Sequence, residues 1–241
     1  MSSFKLVLGF LTAIPIRLSD PPEQGDLGRA AAWFPLVGLG LGGALALTHG
    51  VIGKALPVIL TGALLTSLWA ALTGALHLDG LADCFDGLTV SAHPARRLEI
   101  MKDPRVGAFG TVGLNLFLIL KVSAVASLAD GSGLILAPIV GRWMILLAAT
   151  LPQARPGGMG DGFHGTLNRR GLTVAALLTA GVAGLFGWRG LLAFGLAHAG
   201  GFALLWLARK RLDGVTGDVL GAACEVAELA VLIAFILEVQ V

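Results

Sequence analysis

Three aspartates, Asp79, Asp83 and Asp86, follow directly on a long apolar stretch, in the run HLDGLADCFDG from His77 to Gly87. Spacings of four and three put all three carboxylates on one face of a helix. Like charges this close repel unless a cation lies between them, and hard oxygen donors suit Mg²⁺ or Mn²⁺. Gly80 and Gly87 flank the acids and let a backbone or a phosphate come near. His77 reads either as a proton carrier beside the acids or as a packing residue. A second acidic group, Asp218, Glu225 and Glu228, opens the last apolar stretch. Asp218 and Glu225 share a helical face, and acids at membrane depth are costly enough to be read as functional.

Cations stand near these acids in the sequence. Arg96, Arg97, Lys102 and Arg105 precede Gly107 and Gly110 at the start of another apolar run. Cations and glycines at a helix start make a phosphate cradle, so Lys102, Asp103, Arg105 and Gly107 are read as one substrate-binding segment. Arg96 and Arg97 are read as anchoring charges. Arg155 opens a glycine-rich connection that continues to Gly165. Arg142 lies inside an apolar run, as a partner for the acids or for a phosphate. Together these residue types fit metal-dependent phosphoryl transfer: carboxylates hold metal, cations take the remaining charge, and an acid or His77 receives a proton.

The elements that must hold these groups are membrane helices. The chain has 241 residues, of which 56% are hydrophobic and 13% charged, with a mean hydropathy of +0.84. A soluble domain has about 25% charged residues, and so short a chain cannot hide this much apolar surface in one water-soluble core. Net charge is +2, too small to point to nucleic acid. Cys84 and Cys224 have neither disulfide nor zinc spacing. The segment Leu6 to Ile16 lacks a cleavage pattern and is read as an interfacial amphipathic segment. Seven spans are expected, at 30–53, 55–78, 107–129, 134–151, 172–186, 191–208 and 219–238. With the N-terminus inside, the segments 1–29, 79–106, 152–171 and 209–218 carry thirteen Lys and Arg, against Lys54 and Arg189 outside, a strong positive-inside bias. The expected fold is one all-α, polytopic membrane domain over 1–241. Gly38 and Gly42, four apart, are expected at a close helix contact.

The sequence resembles the cobalamin-5′-phosphate synthase family, also called adenosylcobinamide-GDP ribazoletransferases. The resemblance rests on Phe34 to Gly38, His77 to Asp83 with Asp86 and Gly87, Leu98 to Gly110, Ala154 and Arg155 with Gly158 to Gly160, and Thr216 to Asp218 with Leu220 to Ala222 and Glu225. It runs from about Phe10 to Glu228. The chain departs from the family at Pro156-Gly157, and Asp161 and His164 in that loop are given no role. Asp83, Asp86 and Gly87 also match the opening of the CDP-alcohol phosphotransferase motif, but the Ala-Arg that should follow is absent.

The resemblance implies an Mg²⁺-dependent enzyme late in cobamide synthesis. It would join adenosylcobinamide-GDP to α-ribazole 5′-phosphate, or to α-ribazole, and release GMP. Asp79, Asp83 and Asp86 are expected on the metal, with Asp218, Glu225 or Glu228 as further ligands. Lys102, Arg105 and Arg155 are expected on phosphates, and His77 or one of the aspartates, Asp83 foremost, as the proton acceptor. The site is expected to face the cytoplasm from a prokaryotic inner membrane, with a homo-oligomer left open. An ion-coupled transporter is the competing expectation from intramembrane acids and glycine-broken helices.

Overall fold

The computed structural model describes residues 3–18, 21, 23, 25–155, 163 and 166–237. The glycine loop with Asp161 and His164 lies outside the described residues. In chain order the helices are α1 (Ser3–Leu11), α2 (Asp26–Arg29), α3 (Phe34–Ile52), α4 (Val58–Thr73), α5 (Leu76–Thr89), α6 (Pro94–Ile100), α7 (Ala108–Ala126), α8 (Ser132–Ala148), α9 (Arg169–Leu185), α10 (Gly187–Leu212) and α11 (Gly217–Ile236). Among the described residues there is no strand, only an isolated bridge between Gln153 and Val215. The expected all-α class is therefore observed.

α8 and α11 form the centre of the bundle, and most of their side chains are buried. α3 packs along α8, α10 along α11, α4 along α7, and α5 lies against both α11 and α7. The contact of α3 with α8 uses the expected glycine pair. A Cβ on Gly38 would lie 2.5 Å from the Pro138 carbonyl oxygen, and one on Gly42 2.5 Å from that of Ile135, so only glycine admits this approach.

The outward faces are apolar. Leu47, Val51, Ile119, Leu177 and Leu185 are each more than 60% exposed. In water such faces would aggregate; in hydrocarbon they are what a spanning helix presents. The chain is an integral membrane protein. Among the described residues, four helical stretches are long and apolar enough to cross a bilayer: Ala31–Ile52, α7, α10 and α11. A fifth is added if α4 and α5 count as one bent span. α8 is apolar but shorter, at 17 residues.

The expected span at 55–78 is two helices. α4 ends at Gly74, in the left-handed region at φ +60°, and Ala75 follows at φ +55°. Left-handed backbone cannot continue a right-handed helix, so α5 leaves at 95° to α4. The aspartates thus ride on a helix of their own.

Candidate active site

α5 and α11 meet through two glycines. A Cβ on Gly80 would lie 2.8 Å from the Asp218 carbonyl oxygen, and one on Gly221 3.2 Å from the His77 Cα. This crossing sets Asp218 opposite Asp79 and Asp83, which flank Gly80 on α5. Asp83 is half-buried and feels the negative charge of Asp218, Asp79 and Asp86 and the positive charge of Arg155. His77, Asp79, Gly80, Asp218 and Gly221 line one pocket, together with Phe10, Phe163 and Ile145. Asp83 stands one helical turn beyond Asp79.

Arg155 is the cation built into this cluster. Ala154 donates its N–H to the Val215 carbonyl (2.9 Å), and Val215 donates to that of Pro152 (2.9 Å). This pairing fixes the chain just before Arg155. Its guanidinium then donates to the Leu98 carbonyl (3.0 Å) and to Asp218 (3.3 Å). Thr216 caps α11 through the Val219 N–H (3.3 Å) and donates to the same Asp218 oxygen (3.1 Å). One guanidinium therefore faces Asp218 and Asp83, with Asp79 beside them, which leaves negative charge in excess.

Several expected site residues have other partners. Both Asp86 oxygens accept from the start of α7, from the Gly107 N–H (2.7 Å) and the Gly110 N–H (2.8 Å). A Cβ at either glycine would lie within 2.4 Å of that carboxylate. The expected phosphate cradle at Gly107 is thus filled from within: the helix N-terminus does attract an anion, and the anion is Asp86. Glu225 and Glu228, expected as metal ligands, are spent on cations. Lys121 donates to Glu225 (2.6 Å) and Glu228 (2.8 Å), and Arg142 pairs with the other Glu228 oxygen. All four side chains are at most 4% exposed. Arg142 is fully buried in this quartet, and its Nε and Nη2 have no hydrogen-bond partner among the described residues. Arg105 forms a two-pronged pair with Asp103 at 2.9 and 2.7 Å in an exposed groove shared with Arg96 and Glu99, and this pairing holds the Asp103 carboxyl down at about 2. Lys102 is exposed.

Three structural cations escaped the sequence reading. Arg97, expected only to anchor, is buried and donates to the carbonyls of Ala92 (2.8 Å), Gly87 (2.9 Å) and Leu88 (2.9 Å), and Arg211 also bonds the Leu88 carbonyl. They satisfy the open carbonyls at the end of α5. Lys121 was a lone charge in an apolar run; pairing it with Glu225 and Glu228 needs the packing of α7 on α11. A surplus of intramembrane acids with no local cation was the available signal.

The chain matches the cobalamin-5-phosphate synthase family over residues 3–236. It belongs to that family. Adenosylcobinamide-GDP ribazoletransferases resemble it along nearly their whole length. That of Ectopseudomonas mendocina is 42% identical over 97% of this chain and 98% of its own. That of Stutzerimonas stutzeri is 45% identical over 97% of each, and that of Pseudomonas aeruginosa strain PAO1 44% identical over 98% of each. No solved structure matches. As a cobalamin-5-phosphate synthase family member, the chain is a transferase of cobalamin biosynthesis.

The Mg²⁺ that the resemblance implies would need donors among these residues. Among the described residues no three His, Cys, Asp or Glu side chains converge into a ready cage. Mg²⁺ rarely uses one; it takes one or two carboxylates and completes its shell with water and substrate phosphate. Asp79, Asp83 and Asp218 are hard donors with surplus charge, and they fit that mode.

Proposed function

We propose that the chain joins adenosylcobinamide-GDP to α-ribazole 5′-phosphate, or to α-ribazole, and releases GMP. The observation that carries this reading is the crossing at Gly80, which gathers Asp79, Asp83 and Asp218 around one guanidinium. Such a cluster is poised for a phosphate that arrives with a divalent cation. When bound, Mg²⁺ on Asp79, Asp83 and Asp218 would neutralise phosphate charge. Arg155, tethered on Leu98 and Asp218, takes charge from a non-bridging oxygen. The ribose hydroxyl oxygen attacks the cobinamide-linked phosphorus, the bond to the GMP oxygen breaks, and the hydroxyl proton passes to His77 or Asp83. Lys102 and Arg105 stand outside the pocket and act, in this reading, on the outer parts of a large substrate.

The orientation belongs to the same proposal: one domain over 1–241, seven spans, and the N-terminus and the pocket facing the cytoplasm of a prokaryotic inner membrane. The thirteen-to-two distribution of Lys and Arg supports it. The transporter reading loses its footing, because Glu225 and Glu228 are already neutralised by Lys121 and Arg142.

The test is GMP release in proteoliposomes given both substrates, with and without Mg²⁺, for the wild type and Asp83→Asn. Release should require Mg²⁺ and fall more than ~100-fold in Asp83→Asn, since even groups that only support a metal ligand cost 10–100-fold. Release that ignores Asp83 would move the site elsewhere. No release from inserted, folded protein with either ribazole would overturn the reaction.

A further inference from the structure

α10 is the longest helix, at 26 residues, or about 39 Å at 1.5 Å per residue. A bilayer's hydrocarbon core is about 30 Å, so when α10 spans, an end of it stands among the headgroups. Its last turn carries Arg209, Lys210 and Arg211, and one turn earlier Trp206 is 63% exposed, the position of an interfacial aromatic.

A groove of about 420 Å³ lies here, lined by Leu151, Phe202, Leu205, Trp206, Arg209 and Lys210. Its composition is divided. Four lining residues are apolar, two are cations, and none is acidic. The Lys210 ammonium rests 5.1 Å from the centre of the Trp206 ring, and among the described residues neither Arg209 nor Lys210 has a carboxylate partner. Two unpaired cations at the head of an apolar trough match a ligand with an anionic head and a hydrocarbon tail.

We propose that this groove binds one anionic phospholipid, its phosphate on Arg209 and Lys210 and an acyl chain along Phe202 and Leu205. Arg211, on the same turn, bonds the Leu88 carbonyl at the end of α5. A lipid seated here steadies the end of the helix that carries Asp79 and Asp83. The groove shares no lining residue with the carboxylate pocket, so the lipid and the substrates do not compete.

The test is native mass spectrometry of the full chain released from micelles containing phosphatidylglycerol and phosphatidylcholine of equal acyl composition. One phosphatidylglycerol should be retained with a preference of about 30-fold, a roughly fivefold gain for each cation at the interface. The preference should collapse toward unity in Arg209→Gln/Lys210→Gln. If that variant inserts poorly, Lys210→Glu alone should cut it by about fivefold or more. Phosphatidylglycerol should also raise the thermal midpoint of the wild type and not of the variant. Equal retention of the two lipids, or a preference that survives both variants, overturns the proposal. Displacement of the lipid by millimolar inorganic phosphate or GMP would make this a site for soluble anions and overturn it as well.

Discussion

One helix, α11, carries two acidic regions of opposite character. At its first turn Asp218 lines a pocket with Asp79, one helical turn from Asp83, with Arg155 as the cation in contact. Deeper along the same helix, Glu225 and Glu228 are sealed from solvent and matched by Lys121 and Arg142. The deep group is charge-neutral by composition, and the shallow one is not. Depth in the membrane therefore does not by itself decide how an acid is paired. The two regions differ instead in charge balance: the quartet is neutral by composition, though Arg142 keeps its Nε and Nη2 unpaired among the described residues, whereas the carboxylates near the pocket outnumber their cation.

The sharpest way to break this contrast is to unbalance the quartet. Lys121→Met leaves Glu225 without its partner at 2.6 Å and removes the ammonium from the Trp69 ring, 4.1 Å away. Stranding one member of a buried pair costs about 3–5 kcal/mol, so the thermal midpoint in detergent should drop steeply. Adding Glu225→Gln restores neutrality and should recover most of the loss. GMP release per folded molecule should hold in the double variant, the reverse of Asp83→Asn, which should fold and not turn over. A double variant that is stable but inactive would place the quartet within the reaction.

A smaller effect is expected where α5 and α11 cross. Gly80→Ala places a methyl 2.8 Å from the Asp218 carbonyl oxygen, and backbone cannot step aside as a flexible side chain can. Forced overpacking of this kind costs about 1–3 kcal/mol. Activity should fall further than stability, because α5 and α11 part at the level where Asp79 and Asp218 face each other. GMP release measured beside the thermal midpoint separates the two losses. If activity merely follows the folded fraction, the crossing does not set the site.

Much of this was legible in the sequence, and what was not has a physical reason. The spacing of Asp79, Asp83 and Asp86 gave one helix face, and Gly38 and Gly42 gave the packing of α3 on α8, because both are local consequences of 3.6 residues per turn. The break at Gly74 and Ala75 was hidden, since apolar composition runs through it unchanged. Roles that depend on a partner from a distant helix were hidden too. Glu228 is neutralised by Lys121, 107 positions earlier, and Gly107 and Gly110 are glycines for the sake of Asp86, more than twenty positions away. A spacing rule sees a carboxylate and a glycine; it does not see that they are already in contact.

Asp86 gives the mildest and most discriminating test. It shares a helix face with Asp83, yet its two oxygens are committed to the start of α7. Asp86→Asn leaves one of the two N–H donors facing an amide nitrogen, the loss of part of a helix cap, worth about 1 kcal/mol. The thermal midpoint should fall slightly, and the Mg²⁺ concentration for half-maximal GMP release should stay put. For Asp83→Glu, which keeps the charge but moves it, that concentration should rise at least ~10-fold. A comparable rise in Asp86→Asn would return Asp86 to the metal and make its bonds to Gly107 and Gly110 a resting arrangement that substrate displaces.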